Sequence, residues 1–343
     1  MKILQVYIHY PVCAGRYYTD AFKRLGHDVR HIGQDMYNKI WGINVNPQYN
    51  WKADGDQNQY WDDWKPDLIL LQDTALTGYR HPYYKDAPMA VVTVDNHVKN
   101  TEQDGVAAYF LAHYHGQAQP IDPNRADHIW LPCARDAQWF TPSPLPWHLR
   151  AYDVCLVGYP YPRRQHLVNE LRKAGLNVMT QLGALYDEYR ALYWQSRISL
   201  CVSANQDVAQ RIFETGALGC AVLTDPLLDL LDPATGQKLA LQSYAVYDND
   251  QMCIEVAIEL LRLNPQMGQG AARTIAQTCQ PHTWEARAKN IVDWHKGKLT
   301  KFAPEQEKKP FAQIITDPAV IKMIQEQATR EHVPPAPNIG TAL

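Results

Sequence analysis

The 343-residue sequence has no run of about 18 uncharged apolar residues, the length that a membrane-spanning helix requires. Its start, MKILQVYIHY, lacks the long apolar core and small-residue cleavage site of a secretory leader. Both absences predict a cytoplasmic protein. No Cys-x-x-Cys pair is present: Cys13, Cys133, Cys155, Cys201, Cys220, Cys253 and Cys279 are scattered, several within apolar runs such as VCLVG and LCVSA. An odd, dispersed set predicts reduced core thiols instead of a disulfide framework. Charge of either sign is not in excess, since 33 Lys+Arg against 36 Asp+Glu leave a formal charge of −3. That balance argues against affinity built on a nucleic-acid backbone, where many phosphates must be neutralised. Phenylalanine is scarce, with six Phe against 20 Tyr and 10 Trp. Rings with a polar edge suit a groove that stacks sugars or bases, and suit a half-buried surface equally. A hydrophobic fraction of 46% excludes disorder of the whole chain.

What is present is an alternation of short apolar runs and helical patterns. Ile3–Ile8, Val29–Ile32, Leu68–Leu71, Ala90–Val94 and Ile129–Leu131 read as strands, with a helix around Thr19–Leu25. This is the pattern of a parallel sheet with crossover helices. Three prolines in Thr141-Pro-Ser-Pro-Leu-Pro146 break regular structure and mark a linker. The pattern then restarts with strands at Val154–Val157, Val178, Ile198–Val202 and Ala221–Thr224, and helices at Gln165–Ala174, Ala184–Trp194, Val208–Leu218, Asp250–Leu263 and Thr283–Lys298. The expected organisation is two Rossmann-like α/β domains facing across a cleft, at residues 1–145 and 146–300. A charged, Pro-rich tail follows at 301–343, with one helix near 318–330.

In open α/β sheets ligands bind beyond the carboxyl ends of the strands, which in the second half directs attention to Gly158–Arg164, Gly183–Tyr186, Ser203–Asp207 and Thr224–Leu228. The phrase running from Asn205 to Asp225 places a polar loop, with Asn205 and Gln206, before a helix expected to begin near Asp207. Free N–H groups at a helix start favour an anion. Arg211, one turn in, suits a diphosphate, and Glu214 can accept hydrogen bonds from two ribose hydroxyls. The plainer reading is an i,i+3 ion pair between Arg211 and Glu214. Upstream, Gly158 permits close backbone approach at a strand end, and Arg163 and Arg164 follow two prolines at a helix entry, where a phosphate would offset their charge.

These phrases carry a family resemblance. Arg211-Ile-Phe-Glu214 through Gly219-Cys-Ala-Val-Leu-Thr-Asp225, with His282-Thr-Trp-Glu-Ala-Arg287 downstream, is similar to the CgeB-like glycosyltransferases. So are Val154–Gly158 with Arg163 and Arg164, Leu131-Pro-Cys-Ala-Arg-Asp136 through Pro142, and Lys65-Pro-Asp-Leu-Ile-Leu70. The resemblance implies a GT-B fold, in which the C-terminal domain holds a nucleotide-sugar donor and the N-terminal domain the acceptor. It implies ribose binding by Glu214 and a place near the donor phosphates for Arg211. Eight positions before Glu214, where related enzymes carry a second glutamate, stands Gln206, which can hydrogen-bond a hydroxyl but supplies no charge. The phrase with His282 and Arg287 reads as structural.

In the first half, Asp95-Asn-His97 follows a strand, so Asp95 or His97 can orient or deprotonate an acceptor hydroxyl; the alternative is an Asx turn. Gly15, at the end of the loop Tyr10–Gly15, offers close approach to a ligand, without a glycine-rich dinucleotide fingerprint around it. His113-Tyr-His115 has no Cys or carboxylate nearby in sequence to complete a metal set, and Asp54-Gly-Asp56 and Asp248-Asn-Asp250 read as a loop and a helix cap. The expectation is a metal-independent glycosyltransferase with no cofactor beyond its donor, a UDP-sugar being favoured. Its acceptor hydroxyl is open among glycan, protein, small molecule and hydroxymethylated DNA base. A nucleotide-sugar epimerase, a phosphorylase and a non-catalytic glycan- or nucleotide-binding protein are the rival readings.

Overall fold

The computed structural model describes residues 1–298 apart from 10–11, 35–38, 41–42, 45, 50–51, 73–75, 77, 204–205, 229–230, 233–236 and 240. The expected tail at 301–343 with its helix, the start of the Tyr10–Gly15 loop, and Asn205 lie outside the described residues.

The first half is built on β1 (Lys2–Tyr7), α1 (Ala14–Arg24) and β2 (Asp28–Ile32), then a short antiparallel hairpin, β3 (Lys39–Ile40) and β4 (Ile43–Asn44). It continues with β5 (Leu68–Gln72), β6 (Met89–Thr93), β7 (Val106–Leu111) and β8 (His128–Trp130). Six strands form one parallel sheet in the order β2-β1-β5-β6-β7-β8. Strands β5 and β6 are buried along their whole length. Their unbroken apolar runs are what a sheet covered on both faces requires. Among the described residues α1 is the only α-helix of this half. The later crossovers run through turns and a 3-10 segment at Pro82–Lys85, because Gly78, Pro82, Pro88 and the polar run 95–104 offer no helical periodicity.

The second half contains β9 (Tyr152–Val157), α2 (Pro162–Lys173), β10 (Val178–Gln181), α3 (Tyr186–Trp194), β11 (Ser196–Cys201), α4 (Gln210–Ala217) and β12 (Ala221–Thr224). A second hairpin, β13 (Leu231–Asp232) with β14 (Gln237–Lys238), precedes β15 (Ala245–Val246). Helices α5 (Asp250–Ile258), α6 (Pro265–Thr278) and α7 (Trp284–His295) complete the fold. Its sheet is parallel, in the order β10-β9-β11-β12-β15. Helix α5 starts on Asn249, whose side chain accepts from Met252 N, and runs on into a π turn at Glu259–Leu263. One apolar core lies beneath α2, α5 and α6; the other is continuous from the first sheet to the α3 and α4 face of the second. All seven cysteines are buried free thiols, as the dispersed spacing predicts.

Helix α7, assigned from the sequence to the second half, lies against α1 of the first. Trp284 stacks on Tyr17 with ring centroids 5.7 Å apart and meets Tyr18 edge-on, while Trp294 meets Phe110. Thr283 caps the helix by accepting from Ala286 N. The chain thus crosses between the halves twice, and the crossings pair with each other: Arg135 N donates to His282 O at 3.0 Å and Trp284 N to Arg135 O at 3.1 Å. The Arg135 guanidinium adds bonds to the carbonyls of Phe140, Cys279 and Gln280. Arg287 donates to Pro132 O at 2.7 Å, Cys133 O at 3.1 Å and His282 Nδ1 at 2.9 Å. Burial and the neighbouring Arg287 and Arg135 charges hold His282 well below the usual histidine range, so its ring is neutral and free to accept. Among the described residues no helix is long and apolar enough to cross a membrane.

Candidate functional site

A cavity of about 340 Å³ opens between the halves. Val12, Tyr17 and Phe140 line one side, and the segments 157–159, 182–186 and 209–211, with Arg164, Tyr189 and Glu214, line the other. Its volume falls within the range of small-ligand sites.

The cavity floor is made at the end of β9. Gly158 has φ +139°, a region that side chains rarely adopt, and a Cβ there would stand 2.8 Å from Arg211 Nη2. Only glycine lets the Arg211 guanidinium cross the backbone and donate to Val157 O at 2.6 Å. Arg164, from the first turn of α2, donates to Tyr159 O and Val202 O, both at 3.2 Å. Two guanidinium groups therefore converge on Gly158. Burial, followed by the Arg211 charge, lowers the Arg164 pKa. Arg211 is pushed down by burial but raised overall by Tyr193, Tyr189, Cys201 and Glu214, and it remains a cation. Its Nε is buried without a hydrogen-bond partner among the described residues. An anion in the cavity would relieve the repulsion.

Glu214 projects from α4 into the same cavity and is 7% exposed. Gln210 Nε2, one turn earlier, donates to its Oε1 at 2.6 Å. Burial pushes the carboxyl up to about 6, against the pull of Gln210, Tyr189 and the Arg211 charge, with Asp136 adding a smaller rise. The i,i+3 ion pair is not what forms: Arg211 reaches back to Val157 instead of along the helix to Glu214. Helix α4 also begins at Gln210, with Ala209 as its cap, three residues later than the expected start near Asp207. Asp207 is buried and faces the first half, with Oδ2 3.7 Å from His113 Nε2.

The remaining expected residues are divided. Arg163 turns outward to Asp225, 3.4 Å away, with 54% of its side chain exposed, and does not line the cavity. Gln206 is exposed at φ +58°, its backbone held by Ser203 Oγ and Leu228 N, and is also outside the cavity lining. Gly15 and Asp95 lie together in a separate cavity of about 20 Å³. The Gly15 position is explained by packing, because a Cβ there would strike the Tyr7 ring at 2.4 Å. His97 stands edge-on to His113, with centroids 4.7 Å apart.

Sequence reasoning missed Tyr186, Tyr189 and Gln210. The loop Gly183–Tyr186 was legible as a strand-end loop, but the conformation of Tyr186 was not. Tyr186 is buried at φ 43°, an outlier for a bulky residue. Trp139, Tyr49 and Tyr17 pack around its ring, and the Arg16 guanidinium lies 4.6 Å from its centroid. Contacts from the first half and the linker thus hold the strained residue in the cavity wall.

Residues 143–293 match the family model described as "Glycosyl transferase-like". A search of curated proteins found no significant match. Among solved structures, the chain is similar to a sucrose-phosphate synthase from Thermosynechococcus elongatus, at 11% identity and a TM-score of 0.56, over 87% of this chain and 98% of that one. A glycosyltransferase from Rickettsia africae matches at 11% identity and a TM-score of 0.55, over 87% and 98%. An alpha-glucosyltransferase in complex with UDP-glucose and DNA containing an abasic site matches at 10% and 0.56, over 86% and 99%. Two parallel α/β sheets facing across a cleft, together with these neighbours, make the fold GT-B, and residues 143–293 are glycosyl transferase-like, which supports glycosyl transfer in general.

Proposed function

We propose that the protein is a glycosyltransferase of the CgeB-like kind, which moves a sugar from a nucleoside-diphosphate-sugar to a hydroxyl acceptor. The observation that carries this reading is the convergence of Arg164 and Arg211 on Gly158 in the cavity that also holds Glu214. The two guanidinium groups bind the donor diphosphate and stabilise the charge that develops on it as the glycosidic bond breaks. In this reading they serve in place of a metal at the leaving group. Glu214 accepts hydrogen bonds from the ribose hydroxyls. A UDP-sugar is the favoured donor, a choice supported by the UDP-glucose recorded for one structural neighbour. The acceptor binds at the loops of the first half, and Asp95, exposed after β6, is assigned the role of taking its proton.

A thermal-shift panel with UDP, GDP, ADP, CMP and the matching sugar nucleotides tests the donor site. A ligand at 100 times its Kd adds about 2.7 kcal/mol, so UDP and a UDP-sugar are expected to raise Tm by several degrees, and no shift with any nucleotide would sink the assignment. Turnover of the UDP-sugar without an acceptor into a changed sugar nucleotide would identify an epimerase instead.

Arg211→Ala is expected to weaken UDP binding far more than uridine binding. Two lost charge-assisted bonds at about 1.5–3 kcal/mol each correspond to at least 100-fold. Equal losses for both ligands, measured by calorimetry, would contradict a diphosphate role.

A further inference from the structure

We propose that His97, His113 and Asp207 bind a divalent transition-metal ion that ties the two halves of the molecule together. One potential ligand atom from each of these residues lies within 4.8 Å of the others. His97 follows β6 and His113 follows β7, both in the first half, whereas Asp207 precedes α4 in the second. The set is therefore complete only when the halves are together.

The two histidine loops are held in place before any ion arrives. Asn96, fully buried between them, donates from Nδ2 to His113 O at 2.6 Å and to Gln119 O at 2.9 Å, and accepts from His113 N at 3.0 Å. The His113 ring is oriented by a bond of 2.8 Å between Nε2 and Val94 O. The same nitrogen stands 3.7 Å from Asp207 Oδ2, so an ion bound there takes the place of the Val94 carbonyl as its partner. Ligands at roughly 2.0–2.1 Å in a tetrahedral site stand about 3.3 Å apart, so side-chain rotation need draw no pair closer by more than about 1.5 Å. Two imidazoles and one carboxylate favour Zn²⁺ or Co²⁺ over Mg²⁺ or Ca²⁺, which prefer oxygen. Three protein ligands leave a fourth position for water. Asp207 and His113 are both buried, where a cation offsets the carboxylate charge. The site uses none of the residues assigned to the donor, and it stands or falls separately from the glycosyltransferase reading.

The test uses the full chain without a histidine tag, stripped by a chelator and titrated with Co²⁺ while the visible d–d absorption is followed, with Zn²⁺ equilibrium dialysis in parallel. The expected result is one ion per chain and a rise in Tm on binding. Asp207→Asn, which keeps the side-chain volume, and His113→Ala are each expected to lower affinity by more than about 100-fold, beyond the loss of an outer-shell partner. His115→Ala, on the exposed surface two residues away, should bind as wild type. The apo forms are compared by circular dichroism, and Asp207→Asn decides the matter if His113→Ala does not fold. Failure of the wild type to take up a stoichiometric ion, or uptake unchanged in the folded variants, would overturn the proposal.

Discussion

Replacing Glu214 by alanine is expected to lower affinity for the donor by about 100-fold, since two hydrogen bonds to a charged acceptor are worth about 3 kcal/mol together. Calorimetric titration with UDP-sugar reads this directly, and wild-type affinity in the variant would remove the proposed ribose contact. The same residue works against the fold. Its carboxyl is raised from 4.5 to about 6 by burial, so the folded state holds the proton more tightly than the unfolded chain. The contribution of this one group is fully present below about pH 4.5, is lost as pH rises through about 6, and above that the fold is less stable by about 2 kcal/mol than it would be with the group protonated. Glu214→Gln is expected to recover much of this loss at pH 8 and little at pH 4.5, as read by urea denaturation at both. A difference between variant and wild type that does not change with pH would show that no buried charge is involved. Donor affinity should follow the opposite course, strengthening above pH 6 as the carboxylate forms. A binding residue kept at a cost to stability is the usual mark of a site tuned for its ligand.

Arg287→Ala is expected to destabilise the protein by about 3–5 kcal/mol, the largest effect of any single change considered. The guanidinium is 1% exposed and is the common donor to Pro132 O, Cys133 O and His282 Nδ1. Truncation leaves all three acceptors buried without it. Burial lowers its pKa to about 10, against the pull of Tyr18 and Cys133, so the charge is retained at neutral pH. Arg287→Lys should rescue little, because a single ammonium cannot reproduce the planar fork that meets the two adjacent carbonyls. A cost below about 1 kcal/mol in urea denaturation would show that the returning helix is held by its apolar face alone.

The parallel sheets were legible because both faces are covered, and runs such as Leu68–Leu71 and Val154–Val157 carry no polar alternation. Strand β7, VAAYFL, is just as apolar, but its two alanines dilute the β-branched and aromatic signal of a strand. Helix α6 was hidden by Gly268 and Gly270, which lower helix propensity. Gly268 is explained by tertiary packing, since a Cβ there would lie 2.3 Å from Leu260 O. In the site, Gly158, Arg164, Arg211 and Glu214 were readable from strand ends and helical spacing. Asp207 could not be matched with His97 and His113, because nothing local links residues brought together only by the packing of one half on the other. Arg163 and Arg164 are neighbours in sequence, but 100° of helical turn separates their fates, one at the cavity and one at Asp225.

The paired crossings of the chain determine how the cavity can open. A single tether between two bodies leaves rotation about three axes. Two tethers that share hydrogen bonds, as Arg135 does with His282 and Trp284, suppress twist and sliding and leave chiefly the rotation about the line through them. Opening then becomes motion along one coordinate, like a door on two pins. Val12 on one wall and Gln210 on the other then part together as that angle widens.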